Sequence, residues 1–81
     1  MAHYQIDRIN PETGRPYAGY EMMQAASAKQ ALADYLTSKG YALDDRDAPV
    51  TIGWEKINGT RTMTARCPAD TAAYWTAVKL H

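Results

Sequence analysis

Pro68-Ala69-Asp70-Thr71-Ala72-Ala73-Tyr74-Trp75-Thr76-Ala77-Val78-Lys79 is the stretch whose reading decides the fold. Pro68 suits the first position of a helix, where a backbone N–H would lack an intrahelical partner anyway. Asp70 then falls in the first turn, where the helix dipole favours a negative charge. Ala72 and Trp75 lie three apart and share an inward face. The spacing predicts a helix from about 68 to 79.

An earlier helix has clearer signals. Ser27 is a good N-cap, and Gln30 three residues on completes a capping box. Ala28, Ala31, Leu32, Tyr35 and Leu36 follow one apolar stripe. Gly40 after Lys39 supplies the residue that ends a helix in a left-handed conformation. This helix is expected over 28–39.

Strands surround both helices. Residues 3–9 carry Tyr4, Ile6 and Ile9. The turn formers Asn10-Pro11-Glu12-Thr13-Gly14-Arg15-Pro16 follow; the first five resemble a sortase signal but read better as a turn. Residues 17–25 read as a strand pairing back on the first, with Met23 and Ala25 on one face and Tyr20 and Met22 on the other. After a connector over 41–49, residues 50–57 and 60–66 alternate around Asn58-Gly59, the strongest short hairpin signal. Val50, Ile52 and Trp54 share a face, as do Thr60, Thr62, Thr64 and Arg66.

The chain then reads ββαββα. Two hairpins form a four-stranded antiparallel sheet with two helices on one face, an α+β two-layer sandwich. At an offset of 40, Met23-Gln24-Ala25-Ala26-Ser27 overlays Met63-Thr64-Ala65-Arg66-Cys67, and Tyr35 overlays Trp75. A ββα unit used twice, over 3–40 and 50–80, is the corresponding expectation. The other face of the sheet is left to solvent or to a partner.

Composition narrows the function classes. The chain has 81 residues, which bounds it to a single compact domain over 1–81. Nine basic and nine acidic side chains balance. That argues against a dedicated phosphate-backbone binder. The balance is uneven along the chain: residues 1–43 are neutral, the Asp44-Asp45-Arg46-Asp47 connector is acidic, and residues 50–81 are mildly basic. A modest basic face on the second hairpin follows. No apolar run is long enough to span a membrane, and the N-terminus lacks the features of a signal peptide. A cytoplasmic setting is expected, and the single cysteine is compatible with it.

Candidate chemistry is sparse. Cys67 falls at the N-cap of the expected second helix, where a thiolate would be favoured. Asp70 opposes that one turn on, and the only histidines, His3 and His81, sit at opposite ends. A small buried cysteine is the simpler reading. Asp44, Asp45 and Asp47 do not follow the spacing of a calcium loop. No cofactor, metal or catalytic set is expected, and the chain reads as a non-enzyme. Six Tyr, two Trp and no Phe mean that every aromatic side chain has a polar handle. Such residues suit interfaces. Tyr20, Trp54, Arg61 and Arg66 are the expected partner-binding residues.

The helix start Ala25-Ala26-Ser27-Ala28-Lys29-Gln30-Ala31, between a hairpin and a second hairpin turning at Asn58-Gly59, resembles small anti-CRISPR proteins of phages and mobile elements, in particular a type I-F inhibitor. The resemblance spans roughly residues 4–66. It implies a protein that binds a CRISPR surveillance complex and blocks access to target DNA. Neutral charge and the added segment 68–79 depart from that group, and no individual functional residue carries over. A fainter resemblance is to antitoxin domains that pair a short sheet with a helix. The leading expectation is a binding protein of a phage or mobile element that inhibits a host protein or nucleoprotein complex by surface occlusion. The alternatives are a nucleic-acid-binding module using the second hairpin and an antitoxin-like protein-binding domain. The free sheet face also leaves room for a homodimer.

Overall fold

Residues 70–79 form a strand, not a helix. The computed structural model describes residues 1–17, 19–44 and 46–80, so Asp45 and His81, both weighed above, lie outside the described residues. The elements are β1 (Ala2–Asn10), β2 (Arg15–Pro16), β3 (Glu21–Ala25), α1 (Ala28–Ser38), β4 (Thr51–Ile57), β5 (Thr60–Cys67) and β6 (Asp70–Lys79). All strand pairs are antiparallel. The sheet order is β2-β1-β6-β5-β4, with β3 also paired to β1. The expected ββαββα sandwich of four strands and two helices is therefore replaced, among the described residues, by six strands under one helix. The ββα unit occurs once.

The reason lies in where β6 sits. It runs between β1 and β5, with Ala77 opposite both Ile6 and Met63, and Trp75 opposite both Arg8 and Ala65. Ala73 through Ala77 are all buried, on both faces of the sheet. A strand buried on both faces loses its apolar–polar alternation, and periodicity then cannot tell it from a buried helix. Thr71, Tyr74, Trp75, Thr76 and Val78 are strand formers, and the chain obeys them. A helix here would have left the inner edges of β1 and β5 without backbone partners.

Pro68 has a different use from the one its helix reading assigns. Cys67 and Asp70 are register partners, so Pro68-Ala69 is a two-residue turn. The fixed φ of proline suits the first central position of such a turn. Neither residue has a positive φ, so the turn is not of the primed type whose twist matches its strands. A register shift between Ala65 and Cys67 lies immediately before this turn, where a bulge adds local twist. Asp70 caps no helix; its Oδ1 accepts from the Ala72 N–H at 3.2 Å.

The second hairpin forms as the sequence indicates. Asn58 and Gly59 both take positive φ, +51° and +81°, between the partners Ile57 and Thr60. A methyl group at Gly59 would meet nothing within 4 Å, so only the backbone opposes a side chain there. Gly59→Ala is expected to lower stability by about 1–2 kcal/mol, read from urea unfolding.

Helix α1 also forms close to its expected limits. The Ser27 hydroxyl accepts from the Gln30 N–H at 3.1 Å. The capping box is only half made, because the Gln30 amide turns forward to Asp34 at 2.7 Å. At the other end Gly40 has φ +89°. Its N–H reaches the Thr37 carbonyl at 3.1 Å, and the Tyr41 N–H reaches Leu36 at 3.0 Å. These two bonds make a Schellman motif.

The first hairpin is more broken than expected. Strand 17–25 shortens to β3, and Arg15–Pro16 pairs separately with the end of β1. Met23 and Ala25 do face the core, and Met22 faces away. Connecting β3 to β4 carries α1 across one face of the sheet, where it packs mainly on β6, β3 and β1 and more lightly on β4 and β5. The core beneath it contains Tyr4, Ile6, Leu32, Leu36, Met63 and Trp75. The opposite face has no helix over it among the described residues. No helix among them is long and apolar enough to cross a membrane.

Candidate functional site

Helix α1 has 11 residues and so runs about 16 Å. The longest dimension of the molecule is 36 Å. A helix that short leaves part of the helix-side face uncovered. The uncovered part lies toward the Asn58-Gly59 end of β4 and β5, beside the end of β6 and the start of β1, and there the structure has a groove of about 450 Å³. Its walls are Trp54, Arg61, Met63, Tyr4, Lys79 and the start of α1.

Strand register places these side chains. Trp54 is opposite Met63 and Lys56 is opposite Arg61, so all four share the helix-side face of the second hairpin. Lys79 is brought in by β6, opposite Tyr4 on β1. Met63 is buried beneath, whereas Trp54 remains 52% exposed. The Arg61 guanidinium carbon stands 4.2 Å from the centre of the Trp54 ring. Such a cation–π contact contributes roughly 0.5–1 kcal/mol at an exposed site. Among the described residues no carboxylate lines the groove. Arg61 makes no ion pair with any described residue.

Of the four expected contact residues, the structure brings together Trp54 and Arg61. Tyr20 is 62% exposed but precedes β3, at another edge. It lines a separate groove with Tyr17, Tyr35 and Glu21. Arg66 lies on the opposite face of the sheet. Its Nε and Nη2 donate to the two oxygens of Glu55 at 2.7 and 2.9 Å. Its guanidinium also covers the Tyr74 ring at 4.5 Å. Thr64, only 1% exposed, donates to the same Glu55 carboxylate. This cluster explains how Tyr74 and Thr64 are buried on a face with no helix: charged side chains fold flat over them. Of the four residues on this stripe, Thr64 is thus covered rather than solvent-facing.

Arg66, and then Thr64, hold the Glu55 carboxyl below its usual value by hydrogen bonding to the charged form. The contribution to stability is present above the ordinary carboxylate pKa and is lost as pH falls through the depressed one. Both charged partners are more than a third exposed, so screening keeps it small. Glu55→Gln is expected to cost less than about 1 kcal/mol near neutral pH. The difference from wild type should shrink under acid, as followed by thermal unfolding between pH 7 and pH 3.

The remaining candidates fall into structural roles. Cys67 ends β5, 8% exposed within the core, instead of capping a helix. A thiol reagent is expected to label it slowly in the native protein and fully in denaturant. Asp70 accepts a bond from the Tyr41 hydroxyl at 3.2 Å. The Tyr41 ring packs edge-on against Trp75 at 5.2 Å. Burial, then the Asp70 charge, pushes the Tyr41 hydroxyl up. Among the described residues no group of three or more His, Cys, Asp or Glu side chains is placed to hold a metal ion.

Lys79 lines the groove and Lys56 stands beside it; both belong to the basic second half of the chain but not to the four expected contact residues. Lys56 was legible in principle, since hairpin pairing around Asn58-Gly59 sets it beside Arg61. Lys79 was not, because its place follows from β6 being a strand. No family model, no curated protein and no solved structure matches this chain.

Proposed function

We propose that this chain is a non-catalytic binding protein that works in the cytoplasm by covering a surface of a larger partner. The groove beside the second hairpin is its seat. One observation carries this reading: Trp54 stands half out of the fold, stacked by Arg61, at the edge of an open apolar groove. Trp and Arg are the residue types that most often dominate binding energy at protein interfaces. The partner class is the one the anti-CRISPR resemblance implies, a host nucleoprotein complex of the CRISPR surveillance type. The test uses purified type I-F surveillance complex and a labelled target duplex. The expected result is loss of target binding when this protein is added in modest excess. Unchanged target binding at high excess would overturn that partner.

A second reading has its own support. Lys56, Arg61 and Lys79 share one face, and among the described residues no carboxylate lines the groove. A nucleic-acid module on the second hairpin would use them as phosphate contacts. It predicts an electrophoretic shift of single-stranded DNA or RNA at low salt that disappears steeply as salt rises. No shift at low salt removes it.

A further inference from the structure

The outer edge of β4 lies beside the groove. Among the described residues strand β4 pairs only with β5. No backbone bond from a turn or loop among the described residues reaches it. Ile57 and Thr60 close a two-residue turn, so they exchange hydrogen bonds, and bonded pairs then alternate along the hairpin. Ile52, Trp54 and Lys56 fall at the non-bonded positions. Their N–H and C=O groups therefore point outward, away from β5. These are also the β4 residues whose side chains face the groove side.

An unpaired strand edge is a template for a further strand. The side chains beside it define which strand. An incoming chain sets every second side chain on the groove side. There it meets Lys56 and Arg61 at one end and Trp54 with Met63 at the other. Arg61 stacks its flat face on Trp54, which leaves the N–H groups around the guanidinium rim free to fork a carboxylate. We infer that the β4 edge and its groove take an extended acidic segment of a partner protein as an added strand, with carboxylates toward Arg61 and Lys56 and an apolar side chain against Trp54.

The inference rests on the occlusion reading above and specifies its partner chemistry. A single-stranded nucleic acid fits less well. It has no row of N–H and C=O groups to pair the β4 edge. A base stacking on Trp54 would also compete with Arg61.

The test is a titration with a synthetic peptide in which alternate residues run Glu, Leu, Glu, Leu with threonine between them. Controls are the same peptide with lysine for glutamate, and a twelve-nucleotide oligothymidine. The wild type is expected to bind the acidic peptide and not the basic one. Binding should slow hydrogen exchange at the Trp54 and Lys56 amides. Arg61→Glu and Lys56→Glu, both exposed and checked for folding by circular dichroism, should each weaken binding about tenfold or more. Equal binding by these variants, unaltered exchange along β4, or binding of the oligothymidine alone would overturn the inference. If the protein blocks the surveillance complex but ignores the peptide, only this inference fails. If it binds the peptide but leaves the complex active, only the choice of partner above fails.

Discussion

Trp75→Ala is expected to cost about 3–5 kcal/mol, the range for removing a fully buried large aromatic side chain. Trp75 is 2% exposed at the centre of β6 and packs against Tyr41 from the connector after α1. Both neighbouring strands meet it, β1 at Arg8 and β5 at Ala65. A domain of this size has a total stability of only about 4–12 kcal/mol, so the variant should be partly unfolded at ambient temperature or lose ~15 °C or more in Tm. Differential scanning calorimetry would read it. Trp75→Phe, which retains an apolar ring, should fold with a smaller loss and leave Trp54 as the only indole. Its fluorescence should then be that of a half-exposed tryptophan. A Trp75→Ala variant with unchanged Tm would show that β6 is not central to the core.

Trp54→Ala should behave in the opposite way. Its ring is half exposed and stacks under Arg61, so its loss should cost only about 1 kcal/mol of stability. Its effect belongs to binding. A central interface tryptophan typically contributes about 2 kcal/mol or more, so affinity for the partner should fall ~30-fold or more. Isothermal titration against the surveillance complex or the acidic peptide would measure it. Equal affinity in a folded variant would mean that the groove is not the seat. The two tryptophans of this chain thus divide the labour. One is enclosed by strands on both sides, and the other lies where the helix stops short.

Several elements were legible because their signals are local. Ser27 and Gly40 mark the ends of α1, and the hydrogen bonds they make lie within a few residues. Asn58 and Gly59 adopt positive φ within their own turn, which fixes the pairing of Trp54 with Met63 and of Lys56 with Arg61. That pairing is enough to put Trp54 and Arg61 on one face. Hairpin geometry alone therefore brings two of the four expected contact residues, Trp54 and Arg61, side by side. Arg66 stands apart from this pair for the converse reason. The alternation puts it on the other face correctly, but only contacts with Glu55 and Tyr74 reveal that its guanidinium is already engaged.

The sequence by itself determined the helix, the second hairpin and the side chains each presents. Caps and turns depend on backbone conformations that neighbouring residues set. Tertiary structure alone decided the identity of 70–79. A segment with alanines, aromatics and a leading proline is compatible with either secondary structure taken alone. What selects the strand is the pair of vacant edges on β1 and β5, together with burial from both sides. Once β6 fills that place, the sheet is wider than the one helix above it. The uncovered margin is the groove that holds Trp54, Arg61 and Lys79.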